Sequence, residues 1–576
     1  MIERAGGNPL FLEEVARTVR DTGAANIPPT IEGVLMARVD RLAVNTKSVL
    51  QAASVLGREI SQAVLAEAVD DPASLPAALD DLVEHGFLQK VEHRAGILTW
   101  QQPLVLEVAL ESLLKQTRKT LHSRVGSALE RLYGHRAMEH AEDLAQHFAA
   151  AEDWPRAAQF SREAGRKAAS LSANTQAVTW FERALEHLSR LPNDHERGHR
   201  MIETRMDLCR AKFQIGQLDE VLLLARQAET LAQTIGDDQR LGQVYSYLSN
   251  YHYMKGEPEQ AIEYGRRGLR LGGADPDAPL RRSIRQYLGT ALHALGEYTT
   301  ACDILTEQVA SLERAPEHLL IGGANLSYVS SCGWLAFTLA DLGRFAPAAQ
   351  TAERALRAAR QGGHPYAEAI ALAFVGLVHH AQGEDERALP NLEASLRLCT
   401  EHQLTVWLPV SSALLGHALA VEGKIERGLE LLQQSVTLLD RLSVHAYRAL
   451  WTAHLAEALL LSGRLAEALL VGQQAYELAL KNHEQGNQAR ALQVLGTIQA
   501  HADPAEFLQA ERHLRQSLGQ AERLRLRPLA SACHYSLALL ARRRGDAASV
   551  AECLLRARAI AEEVGLRCWQ ERFAQS

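Results

Sequence analysis

One short segment of the sequence has the residue types and spacing of a zinc site. His195, Glu196 and His199 form the pattern His-Glu-x-x-His, in which two imidazoles hold the metal and the carboxylate serves as general base. This chemistry requires both histidines on one face of a stable helix, together with a third protein ligand. Here the segment follows Leu-Pro-Asn-Asp at the exposed start of a helix, Gly198 weakens that helix, and no recognisable third-ligand motif follows. We interpret the match as coincidence and predict no metal site.

The sequence lacks the other patterns that carry catalysis. No Gly-x-x-x-x-Gly-Lys-[Ser/Thr] loop is present to hold phosphates, and no Gly-x-Ser-x-Gly elbow is present to expose a nucleophile. The seven cysteines are scattered without a Cys-x-x-Cys pair, which indicates neither a disulfide framework nor a zinc knuckle. We therefore predict a chain that is not an enzyme, needs no cofactor of its own and resides in the reducing cytoplasm.

Length and charge restrict the classes of partner. The 576 residues exceed one compact domain and indicate several domains or a repeat array. The chain carries 61 Lys and Arg against 69 Asp and Glu, a formal net charge of -8, without a block of like charge. A general nucleic-acid-binding surface is therefore not expected. The longest apolar run, residues 369–378, is too short to span a bilayer, so we predict no membrane segment.

A repeating pattern of turns dominates the chain from about residue 139 onwards. A turn residue is followed five positions later by a small residue, and most of these turns are 40 residues apart. Eight and seven positions before each turn stand a large apolar residue and then a small one, as in Leu288-Gly289. The small residue allows two helices to pack closely, and glycine allows the backbone to turn. The turns begin at Gly256, Gly296, Gly343, Gly383, Gly423 and Gly463, and the register extends to Gly216, Asp503 and Gly545.

Each of these units is predicted to be a helical hairpin, and the pattern resembles the tetratricopeptide repeat. Its period exceeds the usual ~34 residues, so the helices or connections are expected to be longer than standard. A single hairpin cannot bury its apolar face alone, and neighbours therefore stack into a superhelix with a concave and a convex surface. We predict an all-α fold over residues 136–576, a tetratricopeptide-like α-superhelix that binds protein or peptide partners.

The concave face of this superhelix is the expected binding surface. Positions six and three before each turn are expected to face inwards. They include aromatic, imidazole and carboxylate groups but no row of Lys and Asn, so we do not predict a C-terminal carboxylate as ligand. For each position the alternative is an ordinary solvated helix residue. The candidates are Asn250, Tyr253, Thr290, His293, His380, His417 and Glu457.

The segment before the repeats has a different pattern. Helices are expected near residues 45–55, 61–69 and 74–85, followed by two short strands around residues 93–96. Three helices followed by a hairpin indicate a winged helix, a fold that often reads DNA. The third helix carries Asp80, Asp81 and Glu84 without Lys or Arg, and such a helix would repel phosphate. We predict a structural or regulatory winged helix over residues 45–135.

Three segments near the N-terminus carry a more specific resemblance. They are GGNPLFLEEVARTV at residues 6–19, IPPTIEGVLMARVDRL at residues 27–42 and VLQAASVLGREIS at residues 49–61. They resemble the region after the ATPase core in bacterial signal-transduction ATPases with numerous domains (STAND). Proteins of this family join a P-loop core, a small helical lid, a winged helix and a tetratricopeptide array. Relatives often add a nucleotide cyclase or kinase domain, or end in a LuxR-type helix-turn-helix.

The resemblance implies roles for particular residues of this chain. It implies a lid remnant over residues 1–44, and it places Gly7, Asn8 and Pro9 in the lid motif whose proline lies against nucleotide. The family's winged helix often has a histidine that approaches the nucleotide phosphates, whereas this chain has Gln102 there. Because the P-loop is missing, ATP or ADP is expected only when the chain is joined to an ATPase core. The chain looks like the C-terminal part of a larger ATPase, as a truncated gene, a split subunit or a mispredicted start.

The sequence therefore leads to one hypothesis and one alternative. The hypothesis is a non-catalytic sensor arm of a signal-transduction ATPase, which binds a protein, peptide or effector in the superhelix and shifts the activity of the core. The alternative is a free-standing protein–protein interaction scaffold without nucleotide dependence. The sequence does not name the effector, because surface residues of repeats vary while the fold stays the same.

Overall fold

The computed structural model describes residues 30–273, 275, 277–314 and 323–567, together with positions 11, 13, 15, 16, 19 and 28. The chain divides into two compact units, Met1–Arg197 and Gly198–Ser576. Each unit has its own hydrophobic core. The lid residues Gly7, Asn8 and Pro9 lie outside the described residues.

The first unit begins with helices arranged around a three-stranded antiparallel sheet. The strand order is β1–β3–β2, with Ile60 opposite Leu98 and Gln89 opposite Thr99. The three helices and two strands expected from the sequence are present, whereas β1 is an addition because three residues are too few to show a strand period. The elements are α1 (Ile31–Asp40), α2 (Val44–Leu56), β1 (Glu59–Ser61), α3 (Gln62–Ala68), α4 (Leu75–Glu84), β2 (Leu88–Lys90) and β3 (Ile97–Trp100).

Local signals set the boundaries of these elements. Helix α3 begins where the Ser61 hydroxyl accepts a hydrogen bond from the Val64 amide, as at an ordinary N-cap. At Gly57, the backbone turns with a φ of 90°, a conformation that glycine adopts without a side-chain clash. The indole of Trp100 then donates a hydrogen bond of 2.7 Å to the Gly57 carbonyl. This bond ties the end of β3 to the loop between α2 and β1.

The remainder of the first unit is helical in the part that the structure describes. Close packing depends on small residues: a Cβ atom added at Gly165 would lie 2.6 Å from the ring of Phe181. The elements are α5 (Pro103–Glu111), α6 (Lys115–Tyr133), a 3-10 helix (Gly134–His140), α7 (Ala141–Ala150), α8 (Trp154–Ser170) and α9 (Asn174–Ser189).

The second unit is a tetratricopeptide-like array of helical hairpins that stack side by side. Consecutive helices pair in the order hairpin 1 (α10, α11), hairpin 2 (α12, α13) and so on to hairpin 9 (α26, α27). The first helices are α10 (His195–Gln214), α12 (Asp238–Met254), α14 (Pro279–Leu295), α16 (Gly323–Asp341), α18 (Pro365–Gln382), α20 (Leu408–Val421), α22 (Arg448–Leu461), α24 (Gln485–His501) and α26 (Arg527–Arg544). The second helices are α11 (Leu218–Ile235), α13 (Pro258–Leu271), α15 (Tyr298–Glu313), α17 (Phe345–Gly362), α19 (Asp385–Glu401), α21 (Ile425–Arg441), α23 (Leu465–Lys481), α25 (Phe507–Leu524) and α27 (Ala547–Val564).

Small residues allow the two helices of a hairpin to approach, as the spacing of large and small residues predicts. A Cβ atom added at Gly289 would lie 2.6 Å from Leu305, and one added at Gly416 would lie 2.9 Å from the Gly428 carbonyl. In hairpin 2, the Ser249 hydroxyl instead donates a 2.8 Å hydrogen bond to the carbonyl of Ala261. The helices therefore pack at close range, and any larger side chain at these positions would separate them.

The array also contacts itself along one edge, which we call the seam. The seam joins the turns of hairpins 1–4 to loops and helix ends that lie about five hairpins further along the chain. A Cβ atom added at Gly216 would lie 2.5 Å from Leu442, and one added at Gly256 would lie 2.9 Å from Asn482. The same holds for Gly296 against Gln485 at 3.0 Å and Gly343 against Val564 at 2.8 Å. One superhelical turn of the array thus rests on the next.

Across the part of the chain that the structure describes, no helix is both long and apolar enough to cross a bilayer.

Candidate partner-binding surface

The seven candidate binding residues all lie on the first helices of hairpins 2, 3, 5, 6 and 7. They fall into two groups with different surroundings. Tyr253, Thr290 and His293 are buried, with exposed fractions of 7%, 3% and 1%, whereas Asn250 is half-buried. His380, His417 and Glu457 form a hydrogen-bonded row. The role of all seven residues in binding stays a prediction, and Tyr253, Thr290 and His293 are inaccessible in this arrangement of the array.

The seam covers Tyr253 and His293. The hydroxyl of Tyr447, which lies in the loop between hairpins 6 and 7, hydrogen-bonds Nδ1 of His293. The ring of Tyr447 lies 6.3 Å from that of Tyr253 and 5.5 Å from that of Trp334, measured between ring centroids. Two backbone amides of the same loop, those of His445 and Ala446, donate to the Met254 carbonyl at 2.8 and 3.2 Å. Hairpins 6 and 7 therefore occupy the face of hairpins 2 and 3 where a partner was expected.

Thr290 has a local function instead. Its hydroxyl donates a 2.9 Å hydrogen bond to the carbonyl of Gln286, one helical turn earlier on the same helix. Such a bond satisfies a buried hydroxyl without a partner from another element. The Thr290 hydroxyl is thus hydrogen-bonded within its own helix.

A charged pair crosses the seam beside His293. Nε2 of His293 lies 3.2 Å from an Asp341 carboxylate oxygen, and Nη2 of Arg490 lies 3.1 Å from the other oxygen. Asp341 belongs to hairpin 4 and Arg490 belongs to hairpin 8, so the ion pair links the two superhelical turns. Its side chains are 12% and 31% exposed, and a partly buried guanidinium–carboxylate pair is held more firmly than a surface pair.

Glu484 is the second anionic group of the seam. Its carboxylate accepts hydrogen bonds from the Tyr447 backbone amide at 3.1 Å and from the Asn487 side chain at 2.8 Å. The residue is 1% exposed. Because burial disfavours the charged form, it raises the pKa of Glu484 to about 7, while the hydrogen bonds from Asn487, Tyr447 and Asn482 oppose the increase. Burial also raises the pKa of the nearby Tyr447 hydroxyl, so that group stays protonated and can donate.

The second group of candidates forms a chain of hydrogen bonds between two carboxylates. Asp385 contacts Nδ1 of His380 at 2.5 Å, Nε2 of His380 contacts Nδ1 of His417 at 2.8 Å, and Nε2 of His417 contacts Glu457 at 3.1 Å. Each of the three contacts requires one proton, whereas two neutral imidazoles carry only two. The intact chain therefore holds one additional proton, on an imidazole or on a carboxyl group. Burial lowers the pKa of His417, and the Glu457 carboxylate opposes that decrease.

His454 extends this row from hairpin 7. Its ring stacks on that of His417, with centroids 3.8 Å apart and an angle of 10° between the planes. Nδ1 of His454 is buried without a hydrogen-bond partner in the part of the chain that the structure describes. Burial lowers the pKa of His454 well below its ordinary value, and the neighbouring His417 adds to this effect. The ring is therefore neutral at physiological pH.

The structure also places the residues of the zinc-like segment. Nε2 of His199 lies 3.3 Å from a carboxylate oxygen of Asp237, whereas His195 is exposed at the start of α10. Among the described residues, no three His, Cys, Asp or Glu side chains are arranged to hold a metal ion.

Sequence reasoning missed the residues that cover the candidate surface. Tyr447 and Glu484 lie in or beside loops between hairpins, where the repeat pattern makes no prediction. Asp341 and Arg490 lie on first helices but belong to hairpins four units apart. One local signal in the sequence could have indicated this contact, because the loop between hairpins 6 and 7 contains apolar and aromatic residues, including Val444 and Tyr447. The structure buries both, with exposed fractions of 6% and 5%.

Comparison with known proteins gives limited information on this chain. No family model matches it. A curated Rhizobium meliloti protein, described as uncharacterized, is 28% identical over 196 residues, which make up 32% of this chain. The match spans only 19% of the length of that relative.

Several solved structures share the arrangement of stacked helices at low identity. A Rap protein complexed with competence and sporulation factor has a TM-score of 0.44 at 13% identity, covering 71% of this chain and 98% of that one. The Cut9–Hcn1 hetero-tetramer has a TM-score of 0.45 at 14% identity, covering 80% and 91%. A STAND protein from Pyrococcus horikoshii with a tetratricopeptide repeat sensor has a TM-score of 0.40 at 14% identity, covering 98% and 69%. Because these TM-scores and identities are low, the fold is assigned from the helical hairpins of this chain and not from the comparisons.

Proposed function

We propose that the chain is the non-catalytic sensor arm of a STAND-type signalling ATPase and binds a protein or peptide partner through its hairpin array. The observation that carries the proposal is the order of elements along the chain. Helix α2, strand β1, helices α3 and α4 and the β2–β3 hairpin follow one another as in a winged helix, and an array of hairpins comes after them. This is the order that the N-terminal sequence resemblance implies.

The charge of the winged-helix-like domain supports a regulatory rather than a DNA-reading role. Helix α4 occupies the place of a recognition helix and carries Asp80, Asp81 and Glu84. Asp81 accepts a 2.9 Å hydrogen bond from the Thr46 hydroxyl, and Asp80 pairs with Lys90 at 3.4 Å. A phosphate backbone placed there would meet three carboxylates of α4 against the single nearby cation Lys90, so association would be unfavourable.

The array itself supports partner binding as the activity of this arm. Stacked helical hairpins form extended surfaces that bind other chains. The first helices carry partly exposed aromatic and ionic groups, among them Trp334 and Arg490, that can contact an apolar segment and fix its orientation through a few polar bonds. Binding at such a surface would act on an attached ATPase by favouring one of its conformations.

The proposal is tested first on the gene and then on the protein. The DNA upstream of the Met1 codon, over about one domain's coding length, is sequenced for an in-frame P-loop. If one is present, ATP hydrolysis by the complete protein is compared with that of a version ending at residue 194. The proposal expects the rate to change when the array is removed. An unchanged rate, or a genome region with no P-loop in frame or alongside, would contradict it and leave the scaffold alternative.

A further inference from the structure

The turn glycines of the array differ in what faces them. Gly216, Gly256, Gly296 and Gly343 all have positive φ, and an added Cβ atom at each would lie within 3.0 Å of a side chain from a later loop or helix end. Gly423 and Gly463 have the same kind of backbone conformation, but an added Cβ atom there would meet nothing within 4 Å. The contact is therefore specific to the seam and is not a general property of the repeat.

Three residues in the loops of the seam have positive φ although they are not glycine, namely Ser443 at 53°, Tyr447 at 56° and His483 at 56°, and Tyr447 is the one at the centre of the contact. Tyr447 has φ 56° and ψ 7°, a left-handed conformation that costs free energy for a residue with a side chain. Its amide donates to Glu484 and its hydroxyl bonds His293, so contacts on both sides hold it in place. Residues strained in this way persist only where their surroundings fix them, and they are frequent in parts of proteins that switch.

We propose that the seam is an autoinhibitory clasp: hairpins 6–8 cover the partner-binding face of hairpins 2–4, and a partner reaches that face only when the clasp opens. The inference rests on the proposed function, because it concerns access to the same surface. Opening separates Tyr447, on the covering loop, from Tyr253 and Trp334, and so uncovers these two aromatic side chains together with the polar groups of His293 and Asp341. An apolar peptide segment of a partner chain fits this face.

Several features of the seam make opening feasible. The centre of the seam combines buried aromatic rings with polar contacts, namely the Tyr447–His293 hydrogen bond and the Asp341–Arg490 ion pair. Hydrogen bonds within the protein can be exchanged for bonds to water at little net cost.

The charge of Glu484 contributes to raising the pKa of the Tyr253, Tyr298 and Tyr447 hydroxyls, although burial is the larger cause, and the charge of Asp341 acts on Tyr298 and Tyr447 in the same direction. The hydrogen-bond donors to Glu484 are amide groups. A full negative charge at this position is therefore poorly stabilised while the clasp is closed.

The sign of the pH effect follows from this environment. Glu484 has a pKa of about 7 in the closed clasp, against an ordinary value of 4.5. The closed form thus binds a proton that the open form releases. Its contribution to closure is fully present below about pH 4.5 and is lost as the pH rises to about 7. The clasp should open more readily at pH 8 than at pH 6.

The first test compares Gly256→Asn with Gly463→Asn in the full chain. Asparagine tolerates positive φ, and the two positions have φ of 72° and 78°, so both variants carry the same backbone cost. Only the residue at 256 meets Asn482 and His445. The readout is amide hydrogen exchange of His445 and Ala446, whose amides bond Met254 across the seam. We expect exchange about tenfold or more faster in Gly256→Asn and unchanged in Gly463→Asn. Equal exchange in the two variants would overturn the proposal.

The second test uses Glu484→Gln, which keeps the side-chain shape and removes the charge. In the natural chain, exchange of the His445 and Ala446 amides, corrected for the intrinsic rate, should increase between pH 6 and pH 8. In Glu484→Gln the corrected rate should be the same at both pH values, while the exposed Glu477→Gln variant should behave as the natural chain. A pH dependence that persists in Glu484→Gln would contradict the proposal. Neither readout needs a partner, so failure of the clasp is distinguishable from failure of the proposed binding function.

Discussion

The hydroxyl of Tyr447 and Nδ1 of His293 are hydrogen-bonded although 154 residues separate them along the chain. His293 is 1% exposed, and the ring of Tyr447 lies 5.7 Å from the imidazole between centroids. The bond therefore joins hairpin 3 to the loop before hairpin 7 inside the array. Nδ1 of His293 therefore keeps its hydrogen-bond partner only while hairpin 3 and the loop before hairpin 7 stay packed together.

Replacing Tyr447 by phenylalanine should weaken this dependence. The variant keeps the ring but leaves Nδ1 of His293 buried without a partner, at a cost of about 1–3 kcal/mol. We expect a lower urea midpoint for the Tyr447→Phe chain and a smaller denaturant slope if the seam separates before the hairpins unfold. The measurement is equilibrium unfolding followed by circular dichroism. An unchanged midpoint would show that the bond contributes nothing to stability.

Two helical glycines should respond to alanine in opposite directions. A Cβ atom at Gly486 would overlap the hydroxyl of Tyr298, whereas one at Gly519 would meet nothing within 4 Å. We expect Gly519→Ala to stabilise the chain by about 0.5–1 kcal/mol, because alanine favours a helix over glycine. Gly486→Ala should destabilise it by about 1–3 kcal/mol through overpacking. The prediction is tested by measuring the melting temperatures of the two variants side by side. A shift of the same sign in both would contradict the close packing of Gly486 against Tyr298.

Acid should destabilise the array through His454. Its pKa in the folded chain lies well below the ordinary value of 6.5 because the ring is buried. The unfolded chain therefore takes up a proton below about pH 6.5 that the folded chain does not, at about 1.4 kcal/mol for each pH unit until the folded group titrates. In His454→Leu this contribution is lost. The free energy of unfolding of the variant, relative to the natural chain, should increase as the pH falls from 8 to 5.5.

The exposed His135 provides the matched control for this prediction. The relative stability of His135→Leu should not depend on pH over the same range. If both variants gave the same pH dependence, burial of His454 would not be the cause.

The first unit can be tested through its tryptophan. The Trp100 indole donates to the Gly57 carbonyl at 2.7 Å, and the side chain is 6% exposed. Trp100→Phe keeps an aromatic ring in the core but removes the donor and some volume, so we expect a loss of about 1–3 kcal/mol. The loss should appear in the unfolding of the first unit. It is measured on the full chain by hydrogen exchange of amides in β1 and β3, which should both become less protected.

Local spacing predicted the hairpins well. Leu288 and Gly289, eight and seven residues before a turn, could be recognised in sequence because both helices of a hairpin are encoded within about 40 residues. Gly289 packs on Leu305 as that spacing requires. The helices before the array were also recognisable, since each has its own apolar period.

The seam could not be predicted in the same way. Whether the turn at Gly256 meets Asn482 depends on the small rotation from each hairpin to the next, summed over several hairpins. The spacing of residues within one repeat does not determine this accumulated rotation. For the same reason, the sequence could assign Tyr253 and His293 to first helices but could not show that Tyr447 would cover them.

Two of the seam contacts repeat with the period of the array. Gly216 faces Leu442 and Gly256 faces Asn482, so a step of 40 residues on one side matches a step of 40 on the other. In an open solenoid, a repeat can be gained or lost because each contacts only its neighbours. Here, loss of one hairpin from the middle would set every remaining turn against the wrong loop. These contacts of the seam therefore depend on the number of hairpins as well as on their sequences.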